Sequence, residues 1–221
     1  MSGPSARPDA RRVLSRLAAE VPPESTALIQ RSGAGGRAVP AASVVLVRED
    51  AEGLQVYLLH RHGRMAFAAG MVALPGGRTE RGETARDCAV RETLEETGVE
   101  LDPDQLHSWA HWITPEFEPR RYDTEFFVAK LPDAAVARDV SGETDRADWA
   151  RPLDALEQLA TGHLHMLPPT QSILLELGDM ATWSEVVEAS RDRLITPVLP
   201  RPVRRDGVWM FDYGSDGPDG S

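Results

Sequence analysis

Two hydrophobic periods alternate along the chain, and the switches between them mark its elements. Residues 43–48 (SVVLVR) and 54–61 (LQVYLLHR) are rich in β-branched and aliphatic residues, and the acidic stretch EDAEG separates them, which predicts a hairpin. Residues 71–74 predict a short strand running into Pro75, Gly76 and Gly77. Further strands are expected at 107–114, 122–130 and 147–151, with one more at 208–213 in the tail. Helical spacing governs the rest. Residues 9–20 put Val13, Leu14 and Leu17 on one side and stop at Pro22 and Pro23. A loop, 31–37, then leads into the strands. A helix over about 84–97 ends at Gly98, in the usual C-terminal capping place. Pro152 opens a helix to about Ala160, Pro168 and Pro169 open another to about Met180, and Ser184 starts a third to about Arg193. Strands interleaved with helices predict an α/β layered domain.

Composition narrows the class. With 221 residues, 41% hydrophobic and 27% charged, the chain fits one globular domain able to bury a core. The expected division is an N-terminal extension over 1–38, a main domain over 39–200 and a tail over 201–221. A net charge of −11 argues against a nucleic-acid-coating protein, which would show a basic stripe. An anionic ligand must then be met locally, by metal ions and particular arginines. Cys88 is the sole cysteine, so no intrachain disulfide forms, and its place inside a helix reads as a small buried hydrophobe. No apolar run approaches membrane-spanning length and the N-terminus lacks a signal peptide's apolar middle, so the expectation is a soluble cytoplasmic protein without a membrane partner.

Candidate chemistry is concentrated in GRTERGETARDCAVRETLEETGV, residues 77–99. Positions i, i+3 and i+4 of a helix share a face, so Glu92, Glu95 and Glu96 project together beside Arg91. Three like charges on one face repel, whereas a surface ion-pair pattern would interleave them with basic residues. Hard divalent cations favour carboxylate oxygens, and Mg²⁺ is commonly shared between a few carboxylates and substrate phosphates. The stretch is therefore a candidate metal–phosphate site.

These residues match the Nudix box, G-x5-E-x7-R-E-U-x-E-E-x-G-U, at Gly77, Glu83, Arg91, Glu92, Glu95, Glu96, Gly98 and Val99. Thr93 stands where the pattern has a bulky aliphatic residue. Resemblance to the Nudix family implies an α/β/α sandwich with a mixed β-sheet and hydrolysis of a nucleoside diphosphate linked to another group. It further implies Mg²⁺ or Mn²⁺ as cofactor, held by Glu92, Glu95 and Glu96 with the Gly77 carbonyl. Arg91 is expected to orient Glu95 or its neighbours. Glu83 reads either as a metal contact or as a carboxylate favoured by a helix N-terminus. In several branches of the family a glutamate from a later loop activates the water and in others a box glutamate does, here Glu95 or Glu96; Glu143 in SGETDRADW stands in the later-loop place, with Asp145 a weaker rival and a solvated loop charge the alternative. His60 and His62 alternate on a strand, as do His163 and His165, so neither pair easily ligates one ion. Trp109 and Trp112 read as core or pocket wall.

The residues before the box, LLHRHGRMAFAAGMVALPGG, resemble the upstream signature of coenzyme A diphosphatases of this family. Arg61, Gly70, Pro75, Gly76 and Gly77 align, while Ala66 takes the place of a second arginine, Arg64 lies two residues earlier, and Leu74 replaces an aromatic. The later LPPTQSILLELG is similar to the acyl-CoA diphosphatase branch. That likeness implies CoA or acyl-CoA as substrate, with Arg61, Arg64, Gly76 and Gly77 at its phosphates. Hydrolysis of ADP-ribose, a dinucleotide or a nucleotide sugar is the alternative within the family, and a non-catalytic ligand-binding module the alternative outside it. Nudix enzymes are often dimers, which makes a homodimer an expected assembly.

Overall fold

A computed structural model describes residues 11–17, 20–31, 35–62, 70–142 and 144–214. Strand β1 (Val39–Asp50) carries seven consecutive buried residues, the mark of a central strand covered on both faces. It turns at Ala51–Glu52 into β2 (Gly53–Arg61), pairing antiparallel with Val47 opposite Val56. Two short pieces follow. β3 (Val72–Ala73) pairs with β2, and β4 (Gly76–Arg78) pairs with β1, Gly77 opposite Ala42. Helix α3 (Ala85–Thr97) leads through a 3-10 turn to β5 (His107–Ile113) and β6 (Tyr122–Lys130). β6 lies parallel to β1, whereas β7 (Thr144–Ala150) runs antiparallel to β2. The seven-stranded sheet is thus mixed, with the order β3-β2-β1-β6-β5, β4 added on β1 and β7 on β2.

Helices cover both faces, giving the α/β sandwich expected from the sequence. Alternate residues of β1 and β2 serve two cores. Val44, Leu46, Tyr57 and Leu59 pack with Cys88 and Ala89 of α3. Val45, Val47, Val56 and Leu58 pack on the opposite face with Ala155, Ile173, Leu174 and Val186. Those four belong to α4 (Pro152–Ala160), α5 (Pro168–Leu177) and α6 (Trp183–Arg191). α4 and α5 each carry a proline in the first turn, where the missing N–H costs nothing.

The segment around Val21 meets the hairpin around Trp209. Helix α1 (Arg11–Leu14) is one turn long and buries Val13 and Leu14, with Leu17 beyond it. Pro23 does not merely stop this segment, as expected from the sequence. It opens a second helix, α2 (Pro23–Arg31), because proline suits a helix start as well as a helix stop. The tail forms a hairpin, β8 (Arg201–Arg205) with β9 (Val208–Asp212), and Val21 donates its backbone N–H to Trp209 O at 3.0 Å. β8, with only one core-type residue in RPVRR, was not expected as a strand; pairing with β9 makes it one. Among the described residues, no helix is long and apolar enough to cross a membrane.

Candidate active site at the box helix

Local sequence explains why α3 starts and stops where it does. Thr84 caps the N-terminus: its side chain accepts from Asp87 N while the Asp87 carboxylate accepts from Thr84 N, a reciprocal capping box. Gly98 ends the helix in the left-handed conformation at φ 69°, donating its N–H to Leu94 O at 2.9 Å. Thr93, the residue that departs from the box pattern, is fully buried, and its hydroxyl donates to Ala89 O at 2.7 Å. A buried hydroxyl satisfied within its own helix substitutes for an aliphatic side chain at little cost.

The three glutamates share one face but not one environment. Glu96 is buried, and its Oε2 accepts the Gly76 N–H at 2.9 Å, joining the helix to β4. The Glu92 carboxylate is seated over Gly77; a methyl group there would overlap it. Burial pushes the Glu92 carboxyl above its ordinary pKa, against the pull of Arg91. Glu95 is the exposed member, its side chain 57% accessible.

Arg91 organises the acidic cluster. Its Nε donates to Glu83 Oε1 at 2.8 Å and its Nη2 to Glu83 Oε2 at 3.0 Å, a bidentate pair. Nη1 donates to Glu92 at 2.8 Å and to Glu95 at 3.2 Å, and Nη2 also reaches Arg78 O at 3.0 Å. The main partner is thus Glu83, eight residues back, and not Glu95 one turn on. Hydrogen bonding from Arg91 holds the Glu83 carboxyl below its ordinary value, and the Arg91 guanidinium is correspondingly raised, first through Glu83. Glu83 also accepts from Glu80 N at 2.7 Å, so both of its oxygens are engaged. Cys88 lies beneath this cluster with its thiol pushed up to about 11 by burial, which leaves it protonated and a poor nucleophile.

The donor chemistry suits a hard divalent cation. It consists of three carboxylates on one helix face and a backbone carbonyl, Gly77 O, on the facing strand. Among the described residues no three acidic groups converge as a ligand set, because Arg91 engages Glu92 and Glu95 while Glu96 turns to Gly76. A cation here competes with Arg91 for those oxygens. A cavity of about 310 Å³ lined by Val39, Arg78, Thr79, Glu80, Arg91 and Glu92 opens beside the cluster. A larger hollow of about 490 Å³ lies apart from the box, beside α4. There Arg151 is paired with Asp50 and Glu52, and His60 with Asp148.

Arg61 ends β2, where Thr144 opposes it on β7. Its buried Nε has no hydrogen-bond partner among the described residues, an unspent donor at a strand end. Gly76, expected at the substrate, gives its N–H to Glu96. Arg64 and Glu143 lie outside the described residues. His60 pairs with Asp148 and His62 with Asp145, so the two histidines go separate ways, and Trp109 and Trp112 are both core. Asp139 was not among the residues expected at the site. Its carboxylate accepts from Ser141 N at 3.0 Å and Ser141 Oγ at 2.9 Å, and from Thr144 Oγ1. The run Asp-Val-Ser-Gly is a turn signal of the kind in which aspartate bonds its own backbone two residues on, and it was there to be read.

Fold and box together define a hydrolase class, and the comparisons agree. The NUDIX domain profile matches residues 37–169, and the chain belongs to the Nudix hydrolase family, whose members act on phosphorus-containing anhydrides and generally use divalent metals. The chain is 22% identical over 207 residues to "Putative nudix hydrolase 7" of Caenorhabditis elegans, covering 76% of this chain and 69% of that protein. It is 27% identical over 92 residues to acyl-coenzyme A diphosphatase NUDT19 of Homo sapiens, covering 40% of this chain and 24% of that protein. The crystal structure of a NUDIX hydrolase from Alicyclobacillus acidocaldarius superposes with a TM-score of 0.62 at 22% identity, over 69% of this chain and 96% of that one.

Proposed function

We propose that this chain is a divalent-metal-dependent pyrophosphohydrolase that cleaves the diphosphate of CoA or an acyl-CoA. The observation that carries the cleavage chemistry is the α3 face, where Glu92, Glu95 and Glu96 stand against Gly76 and Gly77 of β4. Glu92, Glu95, Glu96 and Gly77 O would hold Mg²⁺ or Mn²⁺. When bound, the ion supplies charge neutralisation at the diphosphate and a more acidic water. The protein's own part is placement. Gly76 N–H fixes Glu96, and Arg91 restrains Glu92 and Glu95 while neutralising part of their mutual repulsion. Glu83 serves as the clamp on Arg91. Glu143 is the proposed base for the attacking water. Water adds to one phosphorus and the bridging P–O bond breaks, giving adenosine 3′,5′-bisphosphate and a 4′-phosphopantetheine derivative.

Three features support CoA: the upstream motif from Leu58 to Gly77, the likeness to a protein named as an acyl-CoA diphosphatase, and Arg61. The unspent Arg61 Nε suits an anionic oxygen, with Arg64 as its proposed neighbour at the 3′-phosphate. The substrate is a small nucleotide met by the protein alone, in the cytoplasm, by a monomer or homodimer. The test is a comparison of CoA with ADP-ribose. Arg61→Ala raises KM for CoA more than for ADP-ribose; equal effects on both remove the role of Arg61 at the extra phosphate.

A further inference from the structure

The loop between β6 and β7 joins the box helix to the end of β2. At one end, it closes the box helix: Arg138 N donates to Thr97 O at 3.0 Å and Val140 N to Glu96 O at 3.1 Å. These carbonyls belong to the last turn of α3, where no intrahelical donor remains to satisfy them. At the other end, the loop enters β7, whose first residue, Thr144, opposes Arg61 in the β2–β7 register. Asp139 joins the two. It sits between the residues that bond α3, and its carboxylate gathers Ser141 N, Ser141 Oγ and the Thr144 hydroxyl. Burial alone would raise the Asp139 carboxyl, but these bonds and one from the Gly142 backbone hold it below the ordinary value. A continuous path therefore runs from Glu96 through Val140, Asp139 and Thr144 to Arg61.

We infer that Asp139 is a positioning residue that sets Arg61 at the end of β2 in register with Glu96 at the end of α3. This rests on the proposed function, in which Glu96 serves the metal and Arg61 the substrate's phosphates. The described bonds of the Asp139 carboxylate go to Ser141 and Thr144. Asp139 holds the span between Glu96 and Arg61, so that one diphosphate substrate meets both. Other anchors of this loop lie away from the span: Leu131 N bonds Val47 O at 2.7 Å, and Ala135 N closes a local turn on Pro132 O at 2.8 Å. Removing the Asp139 carboxylate leaves those in place while releasing Ser141 and Thr144.

The experiment is a double-mutant cycle on kcat/KM for CoA, with melting temperatures measured alongside. Asp139→Ala lowers kcat/KM about tenfold, in the range that a small misplacement of reacting groups costs. Asp139→Asn, which keeps one acceptor oxygen, restores most of it. Combined with Arg61→Ala, Asp139→Ala adds little further loss, because the two changes remove the same alignment. Losses that multiply, or a lowered melting temperature with kinetic constants unchanged, overturn the inference. If Asp139→Ala does not fold, Ser141→Ala and Thr144→Val remove donors to the same carboxylate and are read in the same way. Glu96→Gln separates the two layers. Full turnover in that variant sinks the proposed function, whereas lost turnover there with normal Asp139→Ala kinetics sinks the positioning role alone.

Discussion

Glu92, Glu95 and Glu96 are chemically identical and differ only in what surrounds them. Glu96 is buried on a backbone N–H, Glu92 is half-buried over a glycine, and Glu95 reaches solvent. Glu96→Gln keeps a carbonyl oxygen for Gly76 N–H, so the fold holds while the negative charge is lost; turnover falls by orders of magnitude with the melting temperature nearly unchanged. Arg91→Ala acts differently. It strips charge-assisted bonds from Glu83, Glu92 and Glu95 together, and chemical denaturation should register a loss of about 1.5–3 kcal/mol. A variant as stable as the wild type would show that the clamp is incidental. The helical period alone makes the shared face of the three glutamates legible in the sequence. It does not reveal Glu83 as the main partner of Arg91. That pairing depends on how the loop before Thr84 folds back, and an i,i+4 rule points to Glu95 instead.

At the scale of elements, two adjacent glycines make a contrast that one substitution each can read. A Cβ on Gly76 would meet the backbone of Ala42 and Ser43, which cannot move without breaking the β4–β1 pairing. A Cβ on Gly77 would first meet the Glu92 carboxylate, the far end of a side chain. Gly76→Ala therefore lowers the melting temperature, while Gly77→Ala spares it and weakens activation by Mg²⁺ or Mn²⁺. The reverse pattern in paired thermal melts and metal titrations would contradict this account of the β4–α3 contact. The long elements were legible because their period is long enough to count, as in β1, β2 and α3. β4 is three residues of Gly-Gly-Arg with no hydrophobic alternation, and it exists only because Ala41–Ser43 offer partners. α2 was hidden for a related reason: a Pro-Pro pair marks a boundary but not which side of it is helical.

On the scale of the whole molecule, the face opposite the box encloses a buried carboxyl–guanidinium contact. Glu176 of α5 meets Arg193, which follows α6 and lies over the Trp109 ring at 4.3 Å. Burial raises the Glu176 carboxyl from an ordinary value of 4.5 to about 7, against the attraction of Arg193. The folded state then binds this proton more tightly than the unfolded chain. Its contribution to stability is present below pH 4.5 and is lost as pH rises through about 7. Denaturant melts at about pH 5.5 and about pH 8 should show the wild type losing stability relative to Glu176→Gln between the two. A gap that does not change with pH would mean that the carboxyl is not desolvated as its packing indicates. None of this was legible along the chain, since Glu176 and Arg193 sit 17 residues apart on different segments and meet only when α5 and α6 pack on the sheet.

The proposed activity requires that the α3 carboxylates cut a diphosphate with the help of a cation. The direct measurement is product release from CoA by the purified protein, with Mg²⁺ or Mn²⁺ present or chelated, for the wild type and Glu96→Gln. Adenosine 3′,5′-bisphosphate should appear only with the wild type and only with metal. Undiminished release from Glu96→Gln, or no cleavage of CoA, ADP-ribose or dinucleotides under any metal condition, would contradict it.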